Sequence, residues 1–171
     1  MTRRTKTYIA GDWDGDSDAI EKLYAWKNSG YLTLDFNDAH SLTQARDGSL
    51  NCSIKRSLSE RLNVSNTFVL IVGDNTKTAR SGGCQLCDSY NSWTRSCSKG
   101  HTVDYRSYIE YECDKAVHDN LRIVILYNAA SVNKSKCPDS IKAYGTHTAM
   151  QKIKDGHYVW DYASVKKALE P

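Results

Sequence analysis

The chain has 171 residues, of which 40% are hydrophobic and 25% charged, which is enough for one domain with a core. Its net charge is +3, and the longest basic stretches (residues 2–6 and 134–136) are short, which argues against a nucleic-acid-binding surface. No apolar run reaches the ~18 residues of a membrane helix, and the basic N-terminus lacks the apolar segment of a secretory signal. We therefore predict one cytoplasmic domain over residues 1–171, without nucleic-acid or membrane partners.

In the first part of the chain, strands and helices are predicted to alternate. Thr7–Ala10 is a short strand, and the turn cluster Gly11–Asp18 follows it. Apolar residues at helical spacing predict a helix over Asp18–Asn28. The alternating stretch Tyr31–Phe36 predicts a second strand, and Asn37–Asp47 a polar loop.

The next segment contains the clearest strand signal. A helix is predicted over Leu50–Leu62, with Ser49 or Asn51 as its cap. Thr67–Val72 is a continuous β-branched and aromatic run, which is typical of a central parallel strand. Residues 77–104 have little periodicity and are interpreted as a Cys-rich insertion.

The pattern resumes after the insertion. It predicts a helix over Tyr105–Asn120, a buried strand over Arg122–Tyr127, a short strand at Tyr158–Trp160 and a final helix over Ala163–Leu169. The alternation predicts an α/β fold with a flavodoxin-like parallel sheet and helices on both faces.

In such a sheet, ligands bind beyond the carboxyl ends of the strands. Carboxylates of the first loop could hold the hydroxyls of a ligand or cap the next helix, and Asp18 is the favoured cap. Trp13 could stack on a base, but covering the core is favoured. Residues 74–76 could form an ordinary turn or contact a ligand, and the sequence favours neither interpretation. The candidate substrate-binding residues are Gly11, Asp12, Trp13, Asp14, Asp38, Asn75, Thr76 and Tyr108.

The insertion carries a C-x2-C-x9-C-x3-H pattern, which is the spacing of a Cys₃His zinc site. A structural zinc would order a segment that lacks a core. A reduced loop without metal is the main alternative, and a disulfide is disfavoured in the cytoplasm. Cys52 and Cys113 fall in predicted helices and are interpreted as buried small side chains. The candidate metal ligands are Cys84, Cys87, Cys97 and His101.

Several segments together resemble a TIR-like domain, and within it the TIR-like proteins of Thoeris antiphage defence. They are TYIAGDWDGDSDA, DFNDAHSL, TFVLIVGDNTKTARS, YIEYECDKAV and RIVILY, in that order between residues 5 and 130. The most specific is Tyr111-Glu112-Cys113-x-x-Ala116, which is similar to the family pattern W-E-[IV]-x-x-A. Tyr111 in place of Trp and the Cys-rich insertion depart from that pattern.

The resemblance implies cleavage of NAD, as a substrate, at the nicotinamide–ribose bond. The product would be a cyclic or conjugated ADP-ribose signal that reaches an effector protein by diffusion, and a homo-oligomer is also compatible with it. The family's catalytic glutamate maps to Glu112.

The chemistry of this bond suits a single carboxylate. Loss of nicotinamide builds positive charge on the ribose, which a fixed carboxylate stabilises. Glu110 and Glu112 point roughly 200° apart on a helix, and Glu112 shares its stripe with Tyr108 and Ala116, so Glu112 should face the sheet. An ordinary surface glutamate is the alternative.

Two other functions remain open from the sequence. A nucleoside deoxyribosyltransferase-like enzyme also opens with a strand similar to residues 8–11, although its usual Gly-Pro-Phe continuation is missing here. A non-catalytic interaction module would suit a chain with 11 Tyr and 4 Trp.

Overall fold

The computed structural model describes residues 4–32, 34–39 and 50–170. The strands are β1 (Lys6–Ala10), β2 (Ser65–Val72), β3 (Tyr90–Asn91), β4 (Ser96–Cys97), β5 (Arg122–Tyr127), β6 (Thr146–Ala149), β7 (Gln151–Lys154) and β8 (His157–Trp160). The helices are α1 (Ser17–Lys27), α2 (Asn51–Asn63), α3 (Tyr108–His118) and α4 (Tyr162–Leu169). In the described ranges, no helix is both long and apolar enough to cross a membrane.

The predicted parallel sheet is present. Four strands lie in the order β1-β2-β5-β6, and every neighbouring pair is parallel. The run predicted to be the central strand, Thr67–Val72, lies within β2, which pairs with β1 on one side and β5 on the other. The α/β, flavodoxin-like fold class is therefore confirmed.

Successive strand residues point to opposite faces of the sheet, so each strand contributes to two cores. Tyr8 and Phe68 belong to the core that contains residues of α2 and α3. Ile9 and Val69 belong to the core that contains residues of α1 and α4. The result is three layers, with helices on both faces as predicted.

The strand predicted over Tyr31–Phe36 is not formed by its described residues. Leu34 and Phe36 are buried in the α1 core, which explains the apolar alternation. The parallel pairing with β1 occurs farther along, where Thr7 donates to the Asn37 carbonyl and Ala39 donates to the Thr7 carbonyl. The apolar alternation therefore predicted the burial of Leu34 and Phe36 correctly, but it did not predict which residues pair with β1. Beyond Ala39, the predicted loop Asn37–Asp47 lies outside the described residues, as does Ser49.

Two predicted helix caps are wrong. Asp16, rather than Asp18, occupies the N-cap position of α1, and its side chain makes no capping bond. Leu50 occupies that position in α2, while Asn51 is the first helical residue. Neither helix therefore depends on the side-chain cap that its sequence suggested.

Helix α3 begins at Tyr108 instead of Tyr105 because Ser107 caps it. The Ser107 hydroxyl accepts from the Glu110 N–H at 3.1 Å, and the Glu110 carboxylate accepts from the Ser107 N–H at 2.7 Å. This reciprocal pair is a capping box. Because it fixes the first turn, it also fixes which α3 side chains face the sheet.

Removal of this cap should be measurable. Because one helical N–H would lose its acceptor, Ser107→Ala is expected to reduce the free energy of unfolding by about 1 kcal/mol. Urea unfolding followed by circular dichroism measures the change. Ser92→Ala, at an exposed turn position, is the control and should change stability by less than about 0.5 kcal/mol. Equal effects of the two substitutions would contradict the capping role.

The C-terminal part contains a strand that the sequence did not reveal. β6 (Thr146–Ala149) pairs in parallel with β5 and completes the sheet. The predicted strand Tyr158–Trp160 lies within β8, which forms an antiparallel hairpin with β7. The predicted final helix agrees with α4 to within one residue.

Candidate functional site

A polar cavity lies at the carboxyl ends of β1, β2 and β5, where the fold predicts ligand binding. Its volume is about 160 Å³, below the ~300–1,000 Å³ typical of pockets for drug-sized ligands. It could hold one ring or sugar of a dinucleotide rather than all of it. The described residues that line it are Gly15, Asp16, Gly73, Asp74, Asn75 and Asn128.

The Asp16 side chain is hydrogen-bonded to two other residues at this edge of the sheet. Its carboxylate accepts from the Asn128 amide at 3.0 Å and from the Thr76 hydroxyl at 3.5 Å. Desolvation by burial raises the pKa of Asp16 above its usual range, against these hydrogen bonds. A Cβ at Gly73 would overlap the Asp16 carboxylate, so this close approach requires glycine.

Several predicted residues of the first two loops lie at this edge. Gly11 follows β1 directly, and the Asp12 carboxylate accepts from the Asp14 N–H at 3.3 Å. Asn75 lines the cavity, whereas the Thr76 hydroxyl accepts from the Gly73 N–H at 2.8 Å, which is turn chemistry. Trp13 is 47% exposed and belongs to neither core cluster, so its interpretation as core cover stays a prediction.

Asp38 and Tyr108 have other surroundings. The Asp38 carboxylate accepts from the Tyr24 hydroxyl at 2.8 Å. The Tyr108 hydroxyl donates to the Asn51 side chain at 3.0 Å, beside the Cys-rich segment. The structure therefore does not place these two predicted binding residues on the described lining of the cavity.

Glu112 lies on the face of α3 that packs against the sheet, as predicted. It is 7% exposed, and its carboxylate accepts a short hydrogen bond from the Tyr8 hydroxyl of β1. It is not among the described residues that line the 160 Å³ cavity. The ordinary surface glutamate is therefore excluded, and Tyr8 covers the carboxylate.

The electrostatics of Glu112 are unusual for a glutamate. Desolvation by burial raises its pKa to about 7, although the Tyr8 hydrogen bond and the positive charge of Arg61 lower it. Arg61 is itself buried, and its Nε has no hydrogen-bond partner among the described residues. A carboxyl group that titrates near neutral pH, in the field of a buried cation, is a candidate functional group.

A second, larger depression lies between α2, α3 and the Cys-rich segment. It measures about 710 Å³ and is lined by Lys55, Asp104, Arg106 and Tyr111, among others. Lys55 and Arg106 both pair with Asp104, at 3.3 and 2.9 Å. Arg106 also pairs with Asp114 at 2.9 Å, and the lining residue Arg56 is offset by Glu60, so this groove has little unbalanced positive charge to offer an anion.

The four predicted metal ligands are brought to one place. Cys84, Cys87, Cys97 and His101 line a cavity of about 10 Å³, and Cys52 of α2 lines it with them. Within the described ranges, no group of three His, Cys, Asp or Glu side chains is placed so that it could hold a metal ion. All six cysteines are free thiols in the structure.

Sequence reasoning missed Asp16, Asn128, Tyr8 and Cys52 as members of these sites. Asp16 carried a usable signal, since it follows β1 in a loop that the fold places at the ligand-binding edge. Tyr8 and Glu112 are 104 positions apart, so no local pattern could join them.

Part of the chain matches a known family. Residues 8–81 match the family described as Thoeris protein ThsB, TIR-like domain. The match covers β1, α1, α2 and β2 with the loops that form most of the polar cavity, and it ends before Glu112. No curated protein matches the chain. The resemblance found from the sequence is thus confirmed over residues 8–81, which are similar to the TIR-like domain of the Thoeris protein ThsB.

Proposed function

We propose that this protein is an antiphage-defence enzyme that cleaves NAD at the nicotinamide–ribose bond to make an ADP-ribose-derived signal. The observation that carries the proposal is the ThsB TIR-like match over the segment that builds the carboxyl edge of the sheet. The cavity at that edge has carboxylate and amide groups that suit ribose hydroxyls.

Glu112 is the proposed catalytic carboxylate. Its ionised form would stabilise the positive charge that develops on the ribose as nicotinamide leaves. Because Glu112 is buried and its Oε1 accepts from the Tyr8 hydroxyl, substrate contact with this carboxylate requires its surroundings to open. Since the pKa of Glu112 is raised to about 7, cleavage that needs the carboxylate should increase as the pH rises through 7.

The test is nicotinamide release from NAD by the purified full-length protein at high concentration. Glu112→Gln keeps the size of the side chain and removes its charge, and it should reduce the rate by at least ~100-fold. The matched control is Glu110→Gln on the same helix, because glutamine also serves at the third position of a capping box.

Equal rates for Glu112→Gln and the wild-type protein would refute the catalytic role. Base exchange between nucleosides, without cleavage of NAD, would instead support a deoxyribosyltransferase-like reaction. A loss of activity in both glutamine variants would point to a disturbed helix α3 rather than to lost chemistry.

The burial of Glu112 favours a second candidate, a non-catalytic interaction module. Exposed aromatic side chains suit protein contacts, and Tyr31, Trp93 and Tyr158 are 98%, 96% and 72% exposed. Binding of NAD without turnover, under conditions that activate the protein in infected-cell extract, would favour this candidate over the enzyme.

A further inference from the structure

Four free thiols line one small cavity beside the Cys-rich segment. Cys84, Cys87 and Cys97 of that segment and Cys52 of helix α2 share it, and its volume is about 10 Å³. In the ranges that the structure describes, no three His, Cys, Asp or Glu side chains are placed to hold a metal ion. Thiols without a metal still have redox chemistry, because two neighbouring thiols can be oxidised to a disulfide.

The backbone brings Cys84 and Cys87 close to each other. They are the first and last residues of a turn, which the Cys87 N–H closes by donating to the Cys84 carbonyl at 2.9 Å. The first and fourth Cα atoms of such a turn are less than about 7 Å apart. Disulfides join residues whose Cα atoms are ~4.4–6.8 Å apart, so the backbone separation of this pair suits a disulfide.

The other two thiols at the cavity belong to other elements. Cys97 lies in β4, where it pairs with Tyr90 of β3, and Cys52 lies in α2. A disulfide from either of them to Cys84 or Cys87 would join two elements, whereas the bond between Cys84 and Cys87 closes a single turn. The local pair therefore needs the smallest rearrangement.

The surroundings of the two sulfurs give them different roles. Cys87 is half-buried, so an oxidant can reach it from solvent, whereas Cys84 is 8% exposed. The backbone N–H of Asp104 donates to Cys84 Sγ at 3.2 Å, and the Asp104 carbonyl accepts from the Cys84 N–H at 2.9 Å. The bond to sulfur strengthens when the sulfur is negatively charged, as it is when a thiolate attacks another sulfur.

We propose that Cys84 and Cys87 form a peroxide-sensitive dithiol, in which Cys87 is oxidised first and Cys84 then closes the disulfide. The Cys87 thiolate attacks one oxygen of hydrogen peroxide, the O–O bond breaks, and Cys87 becomes a sulfenic acid as one water leaves. The Cys84 thiolate attacks the Cys87 sulfur, the S–S bond forms, and the S–O bond breaks to release a second water.

In the whole sequence, two thiols lose two electrons and two protons, and one peroxide is reduced to two waters. A dithiol reductant reverses the reaction. Transient disulfides of this kind occur in compartments where thiols are otherwise kept reduced. The proposed redox site does not depend on whether the protein cleaves NAD.

Thiol counting in the purified full-length protein is the first measurement. The wild-type chain has six cysteines, and a slight excess of hydrogen peroxide should remove two thiols, which dithiothreitol restores. Trypsin locates the bond, because residues 81–95 form one tryptic peptide with Cys84 and Cys87, whereas Cys97 lies in the peptide 96–99. After oxidation, the peptide 81–95 should lose two hydrogen atoms and stay unlinked to any other peptide.

Serine variants separate the roles of the two thiols. In Cys84→Ser, Cys87 should stop at the sulfenic acid, which a cyclic 1,3-diketone traps. In Cys87→Ser, Cys84 should react at least ~10-fold more slowly, because it is buried. Cys97→Ser is the matched control, since it removes another half-buried thiol of the same cavity and should leave the disulfide unchanged.

Three results would overturn the proposal. The first is a wild-type protein that stays folded by circular dichroism and keeps all six thiols in hydrogen peroxide. The second is a disulfide that links the peptide 81–95 to the peptide of Cys97 or Cys52. The third is trapping of a sulfenic acid on Cys84 in Cys87→Ser as fast as on Cys87 in Cys84→Ser. The wild-type measurements decide the first two without any substitution, so they hold even if a serine variant does not fold.

Discussion

At pH 8 the Glu112→Gln variant is expected to unfold at a higher urea concentration than the wild-type protein, whereas at pH 4 the two should unfold together. Burial raises the pKa of Glu112 to about 7, from 4.5 in an exposed chain. The folded state therefore holds this proton more tightly than the unfolded state. The stability that this proton contributes is complete below about pH 4.5, and it is lost as the pH rises through 7.

The size of this loss of stability follows from the difference between the folded and unfolded pKa of Glu112. Between pH 4.5 and 8 the wild-type protein should lose on the order of 3 kcal/mol through Glu112 alone. Glutamine cannot ionise and can still accept from the Tyr8 hydroxyl, so the variant should not lose this energy. Other titrating groups, such as Asp16 and His147, contribute equally to both proteins and cancel in the difference.

Glu110→Gln is again the informative control, because it makes the same chemical change on the same helix but outside the buried site. It should not show the gain in stability at pH 8 that is expected of Glu112→Gln. If Glu112→Gln were instead less stable than the wild-type protein at pH 8, the ionised carboxylate would be stabilised by Arg61 more than burial destabilises it. The charge of Glu112 would then serve stability, and the candidacy of Glu112 for catalysis would weaken.

The combined outcome for Glu112 bears on function. A carboxylate that lowers stability at neutral pH and yet is required for NAD cleavage would be retained for its chemistry. If the carboxylate lowered stability and had no effect on activity, catalysis would not explain why it is present. Stability and activity measured on the same variant therefore distinguish the enzyme from the interaction module.

The sequence revealed those elements whose residues are buried on a regular period. β2 and β5 are continuous apolar runs, and α1 carries Ala19, Ile20 and Leu23 on one face. These patterns are local, so they determined the fold class without knowledge of any contact. The parallel sheet and its central strand followed from their order.

What the sequence did not reveal depends on contacts between distant residues. β6 (THTA) has no burial pattern of its own, because its residues are only half buried or exposed, and pairing with β5 makes it a strand. Cys52 resembled a buried helical cysteine until α2 was seen beside the Cys-rich turn. In the same way, the properties of Glu112 come from Tyr8, which belongs to another strand.

Gly145→Ala is expected to cost about 3 kcal/mol or more, because two separate penalties meet at this position. Gly145 has a φ of +70°, a conformation that costs other residues on the order of 1 kcal/mol. A Cβ there would also overlap the Ile123 carbonyl oxygen and lie 2.7 Å from the Ile123 carbonyl carbon. Both are backbone atoms of β5, which cannot move without breaking the ladder to β2.

Two other glycines separate these penalties. Gly156 has a φ of +78°, but nothing lies within 4 Å of the point that a Cβ would occupy, so Gly156→Ala should cost only about 1 kcal/mol. Gly30 has neither a positive φ nor a close neighbour, and Gly30→Ala should be close to neutral. Urea unfolding of the three variants at one pH measures the series. If Gly145→Ala cost no more than Gly156→Ala, β6 would not lie against β5 at the distance that makes it the edge of the sheet.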